Sequence, residues 1–548
     1  MCAARPPLIQ TAAQISQALA QASKLAASGR LPEAEAICRE ILRREAKNAA
    51  ALHMLGAIRT RMAAADEGLE LLTRAMKFGP VTAPLHVDLG LAQLARGDAA
   101  AATDCYRAAV AMDAGDGRAQ FQLGHALDLQ GDAAGARAAY EACVRIDPND
   151  VAAHLNLGNL YKAQQRYDEA MRHYDRALVI LPTLAMAYRN IAATLRETGR
   201  LHAAAAVVER GLQVCPGDKS LQIDHAAALL YRGDLPRGWA AYEQRFDNPG
   251  ETGPRRNRPP AYWDGSDLSD RRILVWTEQS PGDEIMHANA VPDIVARAKH
   301  CVIECSKRMA PIFARSFPTA QVLAYESYET RISPASSVDV QISAASLGQY
   351  LRPTMESFPK HAGYLKADAA TTAELREKYL ARAPGNALVG ISWRSRQVPG
   401  KSLRLLDFAP VLKTAGVTFV SLQYGDCAAD LADVKQSLGV DVIDDGDVDQ
   451  LKDMDAYAAQ VAAMDLVISI SNTTVHTAGA QNIPVWVILP FAKGLLWYWF
   501  AGRTDSPWYP SARLYRQDRG AAKMSWADDV IPRVAADFAA WRTRGRHG

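Results

Sequence analysis

Apolar residues in the first half of the chain return on a fixed beat. Leu-Gly occurs at Leu55-Gly56, Leu89-Gly90, Leu123-Gly124 and Leu157-Gly158, each pair 34 residues after the last. With position 1 at Ile15, the units start at Ile15, Ala49, Ala83, Gly117, Val151, Ala185 and Lys219. The unit Val151 to Leu184 is the most regular. It has Leu157 and Gly158 at positions 7 and 8, Tyr161 at 11, Ala170 at 20, Tyr174 at 24, Ala177 at 27 and Pro182 at 32. This pattern predicts two packed helices per unit. Small residues at 8, 20 and 27 allow close approach, large ones at 7, 11 and 24 fill the gap, and the proline ends the second helix. Pro80, Pro148, Pro182 and Pro216 all fall at position 32, while Cys38 at position 24 and Cys143 at position 27 read as core packers. The beat stops after Phe246, giving about seven units over 15–246 behind a tail of residues 1–14.

Residues 247–270 are rich in Pro, Gly and Arg with no period, and read as a linker. Beyond it, β-branched apolar runs alternate with helical stretches. Strands are predicted at 271–276, 301–305, 320–325, 338–343, 387–393, 418–424, 440–444, 466–471 and 484–489. Such alternation gives parallel, doubly wound sheets. Two in succession suggest two Rossmann-like lobes, 271–382 and 383–548, with ligands at the carboxyl ends of the strands. The final helix, around Ala527 to Trp541, is expected to cross back onto the first lobe.

Composition narrows the function. Basic and acidic residues nearly cancel, 62 against 60, so nothing calls for nucleic acid. The eight cysteines are scattered, and the Cys301/Cys305 spacing matches no zinc or redox motif. They read as reduced thiols of a cytoplasmic protein. The first residues lack the apolar core of a signal peptide, and no run of 18 apolar residues exists to span a membrane. Without a P-loop or a GxGxxG, nucleotide hydrolysis and dinucleotide redox chemistry lose their support.

The candidate chemistry sits at strand ends. After 271–276, Pro281-Gly282 makes a tight turn that would project Asp283 into the cleft; a helix N-cap is its plainer reading. After 466–471 come Ser471, Asn472, Thr473 and Thr474, then a helix with His476. A helix N-terminus dressed with hydroxyls suits a diphosphate, because its N–H groups and dipole favour negative charge. Arg394 follows the strand 387–393 directly, and Lys401 lies in the loop beyond; both are candidate phosphate contacts. Asp445, Asp447 and Asp449 mimic a DxD metal motif, but an acidic solvated turn explains them better. The aromatic cluster Trp497, Tyr498, Trp499, Trp508 and Tyr509 reads as core. In the repeats, position 6 of the first helix reads Asp88, Gln122, Asn156, Asn190 and Asp224 in five consecutive units. Short amides and carboxylates there could hydrogen-bond an extended peptide, or could simply bond locally.

Two resemblances follow. The 34-residue units resemble the tetratricopeptide-repeat family, and their position-6 ladder is similar to the asparagine ladder of O-GlcNAc transferase solenoids. Gly282-Asp283 before a helix, the strand LVISIS leading to Thr473 and His476, and Pro484 opening the next strand resemble GT-B glycosyltransferases of the heptosyltransferase type, family 9. The resemblance covers about 270–548. It implies a general base at Asp283, and donor contacts from Arg394, Lys401, Ser471, Asn472, Thr473, Thr474 and His476. The whole architecture is similar to bacterial protein glycosyltransferases acting on flagellin or adhesins. Together these imply an inverting, metal-independent transfer from a nucleotide sugar to a protein acceptor held by the repeats, with no further cofactor. Two positions depart from the pattern. Ser471-Asn472-Thr473 replaces the usual Asp-Thr-Gly, which leaves the donor sugar open, and Met286-His287 replaces small or apolar residues. A non-catalytic scaffold with degenerate lobes, a glycan or lipid-linked acceptor, and self-association through the repeats remain open.

Overall fold

The computed structural model describes residues 11–247, 260–326, 338–395, 402–491, 496–518 and 525–544. By contacts the chain divides into two compact units, Met1–Thr194 and Leu195–Gly548, with the division inside the helix Ala185–Glu197.

The first unit is a solenoid of paired helices, from Ala12–Ala27 and Leu31–Arg44 to Val151–Ala163 and Tyr167–Ile180. The sequence pattern explains each pair. The position-8 glycines Gly90, Gly124 and Gly158 lie against the rings of Tyr106, Tyr140 and Tyr174 at position 24, where any Cβ would strike the ring. Those three tyrosines are fully buried. Position 34 supplies the helix caps. Asn48, Thr82, Asp116 and Asp150 each accept a hydrogen bond from the backbone N–H three residues on, satisfying one of the unpaired donors at a helix start. Burial pushes the Cys38 thiol up to about 11, as a core packer requires.

The second unit opens with the helices Leu201–Val214, Lys219–Arg232 and Leu235–Tyr242 and the 3-10 turn Glu243–Asp247. Two five-stranded, wholly parallel sheets follow. The first is built from β1 (Ala261–Tyr262), β2 (Arg272–Trp276), β3 (His300–Ser306), β4 (Gln321–Tyr325) and β5 (Val340–Ser343), in the order β1-β5-β2-β3-β4. The second comprises β6 (Ala387–Ser392), β7 (Val417–Ser421), β8 (Leu466–Ile470), β9 (Val485–Leu489) and β10 (Ala512–Arg516), in the order β10-β9-β8-β6-β7. The strand order reverses between β2 and β5 and again between β6 and β8. These are the switch points where open α/β sheets form their crevices.

The structure corrects the sequence reading in four places. The segment 440–444 makes only a single bridge, Ile443 to Val420. It is rich in aspartate, which strands disfavour, and Asp445 is drawn off to the Lys378 ammonium and the Tyr379 hydroxyl. The edge strands β1 and β10 were not anticipated. The final helix, Trp526–Arg544, does not cross to the first sheet; Val530, Ile531, Val534 and Phe538 bury with Val389, Ile391 and Phe419 of the second. Finally, residue 246 is no seam. Trp239 packs in one core with Val275 and Ile342, Phe246 packs on Leu274 and Trp276, and Trp263 and Leu268 of the expected linker are buried too.

A buried ion pair reinforces that join. Arg245 bonds Glu278 at 2.7 and 3.1 Å, with side chains 4% and 1% exposed. Its guanidinium also reaches Glu243 and Ser346, and stacks on the rings of Tyr242 and Phe246. Glu278 lies two residues past the end of β2. The terminal repeat therefore grips the end of the strand that leads into the Asp283 turn.

Candidate functional site

A cavity of about 390 Å³ opens at the carboxyl ends of both sheets. Its first wall is Gln279 to Asp283, after β2, and Arg308, after β3. Its second is Ser471, Asn472, Thr473 and His476, after β8, with Ser395 after β6. Tyr424, Leu451, Met454, Tyr457, Leu496, Trp497 and Tyr498 supply apolar and aromatic surface.

Asp283 lies in the first turn of the short helix Pro281–His287, and its Oδ2 accepts from the Ser280 hydroxyl at 2.6 Å and the Ser280 backbone N–H at 3.2 Å. Ser280, not Asp283, is the N-cap; Asp283 is the third helical residue, and its carboxylate reaches back to Ser280 in a capping box while also lining the cavity. Just before it, Gln279 adopts φ +68° and donates to the Tyr242 hydroxyl at 3.2 Å. A non-glycine residue in the left-handed region marks a turn whose shape is imposed by its surroundings. Gly282 permits a close approach: a Cβ there would stand 3.1 Å from His476 Cδ2.

On the facing wall, Asn472 caps the helix Thr473–Ala480. Its Oδ1 accepts from Thr474 N–H and Ser469, and its Nδ2 donates to Ser392 at 2.8 Å, tying β6 to β8. Thr473 follows at the first helical position, partly exposed to the cavity. Ser471 is buried and accepts from Trp499 Nε1 at 2.8 Å. His476 is buried between Tyr509, 2.7 Å from Nδ1, and Tyr498, 3.3 Å from Nε2. Burial, helped by the Asp283 charge, pushes the Tyr498 hydroxyl well above its ordinary pKa.

The cavity thus gathers Asp283, Ser471, Asn472, Thr473 and His476. It does not gather the rest. Thr474 is fully buried and bonds the Tyr457 hydroxyl at 2.7 Å, because its position turns it inward beneath the cap. Arg394 lines a neighbouring hollow with Gln423 and Asp426, and its guanidinium pairs with Asp430 at 3.2 Å. Lys401 lies outside the described residues. Met286 and His287 face the core, and burial lowers His287 to about 3. The acidic loop is tied off, with Lys378 bonding both Asp445 and Asp447.

Arg308 was missed. It is exposed, lines the cavity, and has no hydrogen-bond or ion-pair partner among the described residues. Its place just past a predicted strand was the available signal. Of the aromatic cluster, Trp499, Trp508 and Tyr509 are core, whereas Trp497 and Tyr498 also line the cavity.

The position-6 residues are all half-buried and mostly engaged. Asp88 binds His53 at 2.8 Å and Arg118 at 2.9 Å, Asn156 donates to Tyr140, and Asn190 to Asn159. Gln122 has no side-chain partner among the described residues. In the second unit, Asp224 meets Arg196 at 3.4 Å. Local bonding between neighbouring helices accounts for most of the ladder.

Models of the tetratricopeptide repeat match residues 87–151 and 150–217. The helical array is a tetratricopeptide-repeat solenoid, an architecture that serves protein–protein interaction. Protein FlbA of Caulobacter vibrioides is 36% identical over 339 residues, covering 58% of this chain and 55% of FlbA. The chain thus spans about half the length of that relative. Similar solved structures include YrrB, a TPR protein with an unusual peptide-binding site, which is 23% identical with TM-score 0.27 and coverage of 31% of this chain and 88% of that one. A thermophilic TPR protein of Thermus thermophilus is 23% identical with TM-score 0.28, covering 33% and 99%. No described helix is long and apolar enough to cross a membrane.

Proposed function

We propose that the second unit is a glycosyltransferase of the GT-B type, moving a sugar from a nucleotide-sugar donor to a protein acceptor bound by the repeats. One observation carries the reading: a single cavity at the carboxyl ends of two parallel sheets faces the Asp283 carboxylate, on one sheet, with the Thr473 helix start, on the other. An inverting transfer needs both kinds of group. A base takes the proton of the attacking hydroxyl, a role suited to Asp283. N–H donors and positive charge receive the leaving diphosphate, a role suited to Thr473 and Arg308 rather than to the paired Arg394. The aromatic and apolar wall suits a nucleoside.

A panel of nucleotide sugars, followed by thermal shift and by transfer of labelled sugar to co-expressed surface proteins such as flagellin, tests the reading. Stabilisation by one donor and labelling of a protein are expected. If no donor stabilises the chain, the cavity is not a nucleotide-sugar site and the chain acts as a protein-binding scaffold alone.

A further inference from the structure

Two carboxylates stand side by side on the short helix Pro281–His287 and face opposite ways. Asp283 lines the cavity, whereas Glu284 turns inward and is 2% exposed. One of its oxygens, Oε2, accepts from the Thr277 hydroxyl at 2.6 Å, just past β2. The same oxygen accepts from the backbone N–H of Ser306 at 3.0 Å, the last residue of β3. The Tyr325 hydroxyl, on the last residue of β4, stands 3.4 Å from Thr277 Oγ1. A single buried oxygen therefore ties the helix to the carboxyl ends of neighbouring strands. No cation bonds Glu284 among the described residues. A carboxylate buried without one costs stability, and an apolar side chain of the same shape would pack better. What Glu284 contributes is position.

The residue so positioned is Arg308. Ser306 opens a turn that closes with the Met309 N–H on its carbonyl at 2.9 Å, and Arg308 is the third residue of that turn. Arg308 lines both the cavity and an adjoining hollow of about 530 Å³, which Lys307 and Tyr325 also line. It sits on the rim between the two, so the setting of the turn decides which of them its guanidinium serves. We infer that Glu284 is a positioning residue that fixes this turn and so holds Arg308 beside Asp283 on the first wall, where it meets the diphosphate of a ligand. One short helix then presents Asp283 directly and, through Glu284, anchors the cation. The acceptor oxygen is what counts, not the charge, because both bonds fall on one atom. A glutamine at 284 can keep both bonds, and a methionine of similar shape can keep neither. The inference deepens the transferase reading and rests on it for the diphosphate that Arg308 receives.

Calorimetric binding of inorganic pyrophosphate to the full chain tests this without turnover. Arg308→Ala should weaken binding about tenfold or more, as for loss of a charged hydrogen bond. Glu284→Met should weaken it about fivefold or more, and Glu284→Gln should leave it within about twofold. Once Arg308 is alanine, adding Glu284→Met should change affinity by no more than about twofold, because the two residues act as one unit. A residue that only packs would lower the urea midpoint and leave the affinity of the folded chain alone. Where Glu284→Met does not fold, Glu284→Asp, a methylene short of both donors, carries the same expectation. Normal affinity in the folded variant, or equal weakening with and without Arg308, overturns the inference alone. An unchanged chain that binds no pyrophosphate sinks the diphosphate reading, and the inference with it. The expected coupling without transfer from any nucleotide sugar would reject the transferase reading alone.

Discussion

Replacing Arg245 with methionine keeps a stem that can still lie on the rings of Tyr242 and Phe246. It strips the charge from a pair whose side chains are 4% and 1% exposed. Among the described residues, Glu278 would be left buried with only the Ser343 hydroxyl as a side-chain donor. Breaking a buried pair from one side costs roughly 3–5 kcal/mol, mostly as the penalty on the stranded charge. At about 1.4 kcal/mol per tenfold, that is at least a hundredfold in the unfolding equilibrium. Removing both charges should recover much of it, because well-packed apolar replacements of buried pairs are often neutral. The assay is already built into the chain: all ten tryptophans lie beyond Leu195, so tryptophan emission in a urea titration reports the second unit alone. Arg245→Met should lower its midpoint strongly, and Arg245→Met with Glu278→Met should restore at least half of the loss. A single variant losing under about 1 kcal/mol, the scale of an exposed pair, or a double variant no better than the single, would refute the reasoning.

Other outcomes are expected. A chain beginning at residue 195 should fold with native tryptophan emission, whereas one beginning at 247 should not, having lost Trp239, Arg245 and Phe246. Gly158→Ala should destabilise the solenoid by about 1–3 kcal/mol through its clash with Tyr174, and Tyr174→Leu beside it should relieve part of the loss, as read by helical circular dichroism on melting. His287, lowered to about 3 in the folded chain by burial, takes up its proton on unfolding below its ordinary value of 6.5. The unfolded state then binds more protons, so second-unit stability should fall as pH drops through that window, by up to about 1.4 kcal/mol per unit. In His287→Phe the slope should flatten; an unchanged slope assigns the acid sensitivity elsewhere. Asp283→Asn should cut sugar transfer by about a hundredfold or more while nucleotide binding persists, and retained transfer rules it out as the base.

What the sequence made legible was whatever repeats or alternates. Leu-Gly pairs and position-24 tyrosines placed the helix pairs, and eight of the nine expected strands formed. What stayed hidden depends on tertiary partners. Nothing local says that Arg245 will be buried against Glu278, and that pairing is why a break in period at residue 246 was mistaken for a domain edge. Thr474 and Arg394 have the right chemistry at strand ends, but one rotation along a helix and one nearby aspartate take them out of the cavity. Arg308 was overlooked because a lone arginine after a strand carries no motif. Tyr498 was filed with the core because its neighbours belong there.

The terminal repeat has a bearing on how such a chain can change over time. Whole 34-residue blocks in the first unit could be gained or lost by duplication or deletion, altering the length of the array and leaving the sheets untouched. The repeat that ends in Trp239, Arg245 and Phe246 has no such freedom, because a block inserted after it would pull those three side chains out of the sheet they serve. Variation in repeat number among relatives should therefore stop at the same place, one repeat short of where the periodicity itself ends.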